Sequence, residues 1–191
     1  FLLTIVAAID RFSPSTDIAG HTPVKSSVQR QIRANVLSQW KIEPETLEAI
    51  WPKKEGLVHV KCREHVSIYT VHSEPLFFQH FDGPFYPTLK VLHKYPYILP
   101  KVQVDRGAIR FLLGGAPMMC PGLTSAGGWL PPPEEVIPAE RAVAIYAEGK
   151  EHAVGIGLTK LGTEDIKKVN KGVAIELGTY LGDDLWSAKS L

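Results

Sequence analysis

Cysteine is scarce in this 191-residue sequence, where Cys62 and Cys120 are the only two. Two distant cysteines cannot build the disulfide framework of a small secreted domain, and they favour a reducing, cytoplasmic setting. The segment Cys62-Arg63-Glu64-His65 has the spacing of half a zinc site, but the sequence offers no second half. Cys62 falls on the apolar face of its predicted strand with Val58 and Val60, and Cys120 is flanked by Met119 and Pro121. We therefore predict that both are core residues and that the protein uses no cofactor.

Long apolar runs are also missing, since no stretch approaches the roughly 18 residues that a membrane-spanning helix needs. The nearest candidate, Phe1–Ile9, is followed directly by Asp10. It lacks the basic start and the small-residue cleavage site of a secretory signal. We therefore predict a buried strand at Phe1–Ile9 and no association with a membrane.

The sequence has almost no excess of positive charge. It contains 21 Lys and Arg against 20 Asp and Glu, a formal net charge of +1. This balance excludes the class of strongly basic nucleic-acid binders, so any contact with RNA has to come from local patches.

Motifs of catalysis are absent as well. Gly114-Gly115 and Gly155-Ile156-Gly157 match neither a dinucleotide-binding G-x-G-x-x-G nor a phosphate-binding loop ending in Gly-Lys-Ser/Thr. The acidic pairs Glu134-Glu135 and Asp183-Asp184 are sequence neighbours, and neighbours rarely converge on one site. We interpret them as solvated charge and predict that the protein is not an enzyme.

The first half alternates helical and strand-like patterns. Val28, Ile32 and Val36 recur every four residues and predict a helix over Val28–Trp40. A second helix is predicted to begin at Pro44, because proline suits the first helical position. We predict a loop at Ser13–Pro23, strands at Leu57–Arg63, Val66–Val71 and Leu76–Phe81, and a helix at Pro87–Tyr95.

Pro96 and Pro100 interrupt the regular patterns near the middle of the chain, so we place the domain boundary there. The first predicted domain is residues 1–100 and the second is residues 101–191. Asp105 is a predicted N-cap for a helix over Arg106–Leu113, which Gly114-Gly115 ends. Strands are predicted at Val102–Val104, Met118–Cys120, Ala142–Tyr146, Ala153–Leu161 and Val173–Leu177, with a loop at Ser125–Glu135 and a helix from Thr163 to Asn170. The fold class is therefore α+β.

Cationic side chains cluster locally in the first half. His59, Lys61 and Arg63 alternate along one predicted strand face, and Lys53 and Lys54 precede that strand. The outward face of the helix at Pro87–Tyr95 adds Lys90, His93 and Lys94. If these surfaces adjoin, they form a patch that follows an RNA backbone, because Lys and Arg gain from releasing condensed counterions. The alternative is an ordinary solvated face.

The order of features in the second half resembles a PUA domain, a small RNA-binding pseudo-barrel. The residues that carry this resemblance are Val104-Asp105-Arg106-Gly107-Ala108, Gly115-Ala116-Pro117-Met118-Met119-Cys120-Pro121-Gly122, Gly155-Ile156-Gly157 and Asn170-Lys171-Gly172-Val173-Ala174.

A more specific resemblance extends over both halves. The chain is similar to the malignant T-cell-amplified sequence family, whose members join an N-terminal pre-PUA domain to a PUA domain. The strings that carry this similarity are Pro52-Lys53-Lys54, Leu76-Phe77-Phe78, Gly83-Pro84-Phe85-Tyr86-Pro87-Thr88-Leu89, Leu92-His93-Lys94-Tyr95-Pro96, Met119-Cys120-Pro121-Gly122-Leu123-Thr124-Ser125 and Lys168-Val169-Asn170-Lys171-Gly172.

The resemblance implies a function that composition and spacing do not reach. It implies a heterodimer with the density-regulated protein, binding to rRNA of the small ribosomal subunit, and roles in reinitiation and in recycling with release of tRNA. It also implies that the glycine-containing loop after the first PUA helix holds RNA. That role carries over to Gly114, Gly115, Ala116, Pro117 and Met118, with Arg106 and Arg110 on the helix.

Two segments depart from the family pattern: residues 1–21 are more apolar than expected, and the loop 126–135 is proline-rich without a basic residue. The favoured hypothesis is a non-enzymatic cytoplasmic translation factor. The alternatives are an RNA-targeting subunit of an RNA-modification enzyme and a scaffold that binds only proteins.

Overall fold

The computed structural model describes Phe12–Leu191, so the strand predicted at Phe1–Ile9 lies outside the described residues. The described chain divides into two compact units. The first contains the residues up to Ile98 together with Asp184–Leu191, and the second is Leu99–Asp183. Residues 184–191 are predicted as part of the second domain, whereas in the structure they belong to the first unit.

The first unit is built on a five-stranded antiparallel sheet in which each strand pairs with the next one along the chain. Its strands are β1 (Ile18–Pro23), β2 (Val58–Cys62), β3 (Val66–Val71), β4 (Glu74–His80) and β5 (Phe85–Pro87), with a 3₁₀ turn at Arg63–His65. Its helices are α1 (Pro14–Asp17), α2 (Ser26–Trp40), α3 (Pro44–Ile50), α4 (Leu89–Lys94) and, after the second unit, α8 (Asp184–Ser187).

An aromatic cluster fills the core of the first unit. Helix α2 buries Ile32, Val36 and Trp40, which recur every four residues and therefore lie on one face. The predicted stripe is confirmed at Ile32 and Val36, but its first member, Val28, is 43% exposed. The Trp40 ring contacts Phe77 edge-on at 6.1 Å, and its indole N–H donates to the Phe85 carbonyl at 2.9 Å. A buried indole needs such an acceptor, because an unpaired polar group in a core is costly.

Two predictions for the first unit are wrong in part. The segment predicted as a loop, Ser13–Pro23, forms α1 and the edge strand β1, which pairs with β2. Pro23 fits there because an edge strand tolerates a residue without an N–H. The helix predicted from Pro87 begins at Leu89, since Phe85–Pro87 pairs with β4 as strand β5.

The second unit has a five-stranded sheet in the order β6-β8-β9-β10-β7. Strands β6 and β8 are parallel, and the other pairs are antiparallel. The strands are β6 (Lys101–Val104), β7 (Met118–Met119), β8 (Ala142–Ala147), β9 (Gly155–Thr159) and β10 (Val173–Tyr180). Between them lie α5 (Ile109–Leu112), α6 (Cys120–Thr124), α7 (Thr163–Val169) and 3₁₀ turns at Arg106–Ala108 and Pro133–Glu135.

Most of the second-unit elements match their sequence predictions, and the α+β class is confirmed. One difference concerns the strand predicted at Met118–Cys120, which ends at Met119 because Cys120 begins helix α6 with Pro121 in its first turn. The predicted loop at Ser125–Glu135 holds Trp129 against the edge strand β6. The backbones of Trp129 and Gln103 exchange hydrogen bonds of 2.8 and 2.9 Å, which covers part of that edge.

Candidate nucleic-acid interface

The glycine-containing loop of the second unit follows directly from the end of helix α5. Asp105 caps the preceding turn, its carboxylate accepting from the backbone N–H of Ala108 at 2.8 Å, as predicted. Gly115 has a φ of 82°, a left-handed conformation that glycine adopts without steric cost. This residue lets the chain leave the helix and turn toward β7.

The backbone N–H groups of this loop are already used. Gly114 and Ala116 donate to the Phe111 carbonyl at 3.1 and 3.0 Å, and Gly115 donates to the Leu112 carbonyl at 2.9 Å. Pro117 has no N–H to offer. The loop therefore offers carbonyl groups and small side chains at its surface, and it is not a cradle of free N–H donors for phosphate.

One predicted loop residue points away from solvent. Met118 is only 2% exposed and packs in the core of the second unit, so its side chain cannot contact RNA there. Its neighbour Met119 is 48% exposed, because successive side chains of a strand face opposite sides. The side chain of Met118 is therefore unavailable at the surface, whereas that of Met119 is exposed beside the loop.

Exposed apolar side chains accompany this loop. Phe111 and Leu113 are 53% and 43% exposed, and the sequence analysis did not identify them. The Arg110 guanidinium lies 4.6 Å from the centre of the Phe111 ring, a cation–π contact. Arg106 is exposed on the preceding turn, and its backbone N–H donates to the Glu148 carboxylate at 2.9 Å. Of the two arginines, Arg110 is thus in contact with an exposed aromatic ring.

Four of the predicted cations in the first unit are exposed. Lys53 and Lys54 lie in the turn after α3, Lys61 lies on β2, and Arg63 begins the following 3₁₀ turn. Among the described residues, none of the four forms an ion pair. Their full charges remain available to an anionic partner.

One member of the predicted row of three cations along β2, His59, is not a cation. Its ring stacks on Tyr69 at a centroid distance of 5.2 Å, and its Nε2 is 2.8 Å from the Ser67 hydroxyl. Burial lowers the pKa of His59, and the charge of Lys61 lowers that pKa further. His59 is therefore neutral at physiological pH, and Arg63 stands beyond the end of the strand.

Lys90 and Lys94 on α4 have partners within the first unit. The Lys90 ammonium donates to the Ala188 carbonyl at 2.6 Å, and Lys94 lies 3.6 Å from the Glu74 carboxylate. Neither contact places Lys90 or Lys94 beside Lys53 or Lys61. A role of Lys90 and Lys94 in binding RNA stays a prediction.

The turn that begins at Arg63 has an unusual backbone. Glu64 and His65 have φ values of 53° and 60°, and Phe81 after β4 has a φ of 50°. Each such residue costs about 1 kcal/mol relative to an ordinary conformation, since its Cβ crowds the backbone. The Nε2 of His80 lies 3.1 Å from the Glu64 carbonyl, and the Phe81 N–H donates to the His65 carbonyl at 2.9 Å. These two contacts hold the turn against the sheet.

Comparisons with known proteins identify both halves of the chain. A model of the Pre-PUA-like domain matches residues 12–96, and a model of the PUA domain matches residues 100–181. Malignant T-cell-amplified sequence 1 of Rattus norvegicus is 49% identical over 181 residues, covering 94% of this chain and 97% of the relative. The chain belongs to the malignant T-cell-amplified sequence family.

Other relatives extend this family beyond vertebrates. Translation machinery-associated protein 20 of Schizosaccharomyces pombe is 46% identical over 176 residues, covering 92% of this chain and 96% of that protein. A hypothetical protein of Pyrococcus horikoshii has a solved structure with a TM-score of 0.67, covering 88% of this chain and 98% of its own at 20% identity. That similarity shows a shared fold.

No group of three or more His, Cys, Asp or Glu suited to a metal ion occurs within residues 12–191. Both cysteines are buried, as predicted, and burial together with the Asp17 charge raises the pKa of Cys62 to about 12. A thiol with that pKa is protonated and unreactive at neutral pH. No helix within the same range is long and apolar enough to span a bilayer.

Proposed function

We propose that this chain is a non-enzymatic translation factor that binds RNA of the small ribosomal subunit, with a density-regulated protein as its partner. Its relatives include a protein named for association with the translation machinery, and the pre-PUA and PUA domains are both present. The observation that carries the proposal is the set of four exposed cations without ion pairs in the first unit: Lys53, Lys54, Lys61 and Arg63.

The proposed mechanism is positional. The four cations contact phosphates, which fixes the orientation of the protein on RNA without reading sequence. In the second unit, Arg106 and Arg110 supply charge beside the loop at Gly114–Pro117. The exposed Phe111 and Met119 offer apolar surface to bases or sugars there. Reinitiation and recycling with release of tRNA, in the cytoplasm, are the roles that this mechanism would serve.

The test is binding to purified small ribosomal subunits across a salt series, with and without the density-regulated protein. Replacing Lys53, Lys54, Lys61 and Arg63 together by Glu should weaken binding and flatten its dependence on salt. Each lost phosphate contact reduces the slope of log K against log[salt] by roughly 0.7 to 0.9. The matched control reverses four other exposed cations of the first unit, Lys25, Arg30, Lys41 and Lys189.

The outcomes separate the hypotheses. Salt-sensitive binding that the partner strengthens supports the proposal. Equal affinity of the four-residue variant and the wild type at every salt concentration would remove the patch from the proposal. Absence of binding to subunits in all conditions would favour the alternative, an RNA-targeting subunit of a modification enzyme.

A further inference from the structure

A pair of stacked aromatic rings is exposed at one end of the first-unit sheet. The rings of His65 and Phe81 lie 4.2 Å apart between centroids with an interplanar angle of 19°. Phe81 is 55% exposed, and His65 is exposed as well. Burying apolar surface lowers the free energy, so an exposed phenylalanine ring favours contact with a partner that covers it.

The surrounding structure holds the two rings in this position. Both residues of the pair have left-handed backbone conformations, and so does Glu64 in the adjoining turn. His80 is 8% exposed and contacts the Phe81 ring edge-on at 4.5 Å, while its Nε2 lies 3.1 Å from the Glu64 carbonyl. Strained conformations that the neighbouring structure enforces cluster at binding sites. The rings are thus preorganised before any partner arrives.

The charges around the pair indicate how a ligand would be held. Arg63 comes two residues before His65, and Lys61 pairs across the sheet with Ser67, two residues after His65. Glu64 and Asp82 are exposed next to the same rings. The two acids reduce the local positive potential, so we expect the rings to add affinity to that of the Lys61 and Arg63 charges.

We propose that the His65–Phe81 pair binds an unpaired RNA base by stacking, with Arg63 contacting the adjoining phosphate. This inference rests on the proposed RNA-binding function and names its ligand class, a single-stranded segment. A base within a duplex has its faces covered by neighbouring bases, whereas an unpaired base can stack on an aromatic side chain.

The test is fluorescence anisotropy of the full chain with labelled single-stranded RNA and with a duplex of the same sequence. Phe81→Leu keeps an apolar side chain without a ring, and it should weaken single-strand binding on the order of tenfold. Phe81→Trp restores a ring and should bind at least as well as the wild type. Because Phe81 carries no charge, the salt dependence of the Phe81→Leu variant should match that of the wild type, whereas Arg63→Gln should flatten it.

Unfolding temperatures of the variants establish that each one folds, and Tyr97→Leu is the control because it removes another exposed ring of the first unit. Equal single-strand affinity of Phe81→Leu and wild type would overturn the stacking site while leaving the proposed RNA-binding function intact. Loss of affinity for the density-regulated protein alone, with RNA binding unchanged, would overturn it in favour of a protein interface. Absence of RNA binding by the wild type would overturn the proposed function itself.

Discussion

The Lys90 ammonium and the Ala188 carbonyl are joined by a hydrogen bond of 2.6 Å, which ties helix α4 to the C-terminal segment of the first unit. Lys90 is half-buried, and beside it the rings of His93 and Trp186 lie 5.2 Å apart. A lysine predicted to contact RNA therefore has a structural partner. The C-terminal segment is part of the first unit through these contacts.

Lys90→Met should lower the free energy of unfolding, because it removes a charged donor and leaves the Ala188 carbonyl unpaired. We expect a loss of about 1 kcal/mol. Lys94→Met removes an exposed ion pair with Glu74 and should change stability by less than about 0.5 kcal/mol. Urea denaturation of the two variants measures the difference. Equal stability of both would mean that the Ala188 contact contributes nothing.

Gly115 and Gly114 should differ in their tolerance of a side chain. Gly115→Ala forces a Cβ into a left-handed conformation and should cost about 1 kcal/mol. At Gly114 an added Cβ would lie 3.4 Å from the Phe111 carbonyl oxygen, and no positive φ occurs there. Gly114→Ala should therefore leave the unfolding temperature nearly unchanged. If both variants retain their fold and only RNA affinity falls, the loop acts in binding and not only as the end of α5.

Met118 and Met119 should give opposite results when each is replaced by alanine. Met118→Ala opens a cavity in the second-unit core and should destabilise the protein by about 2 to 5 kcal/mol. Met119→Ala removes an exposed side chain and should leave stability close to that of the wild type while weakening RNA binding. Thermal unfolding and an RNA-binding assay on both variants check the assignment. A stable Met118→Ala variant with reduced RNA affinity would reverse it.

Stability should fall as the pH drops below about 6.5, the ordinary pKa of histidine. Burial lowers the pKa of both His59 and His80 in the folded protein. Between pH 6.5 and the lower pKa values of the two histidines in the folded protein, the unfolded chain takes up these protons and the folded protein does not, so unfolding becomes more favourable. Above pH 6.5 both states are neutral at these positions, and their contribution no longer changes with pH.

His80→Asn isolates the His80 share of this effect, because asparagine does not titrate. Denaturation of the wild type and the variant from pH 5 to pH 8 should show a shallower decline for the variant. NMR titration should place the His80 transition below 6.5. Parallel stability curves for the two proteins would contradict the proposed origin of the pH dependence.

Local patterns in the sequence predict much of the fold, and the reason is geometric. The four-residue spacing of Val28, Ile32 and Val36 predicts α2, although Val28 itself is 43% exposed. Likewise, β-branched residues mark Val66–Val71 with the bounds that the structure shows. Both patterns repeat within a few residues, so no knowledge of distant neighbours is needed. The family membership follows from the same kind of local string.

The candidate site could be predicted only in part. The exposed Lys53, Lys54, Lys61 and Arg63 were identified from charge and alternation alone. The stacked pair of His65 and Phe81 was not, since these residues are brought together by the β3–β4 pairing and a left-handed turn. Its hydrophobicity alone would assign Phe81 to the core.

The sequence by itself determined the α+β class, most elements and the family of this protein, because periodicity and specific strings are local. Only the tertiary structure decided that Ile18–Pro23 is a strand, since its hydrogen-bond partners lie on β2. It also decided that Lys90 has a partner in Ala188 and that His59 is neutral. Whether a charge is free or paired depends on residues that are distant in the chain and close in space.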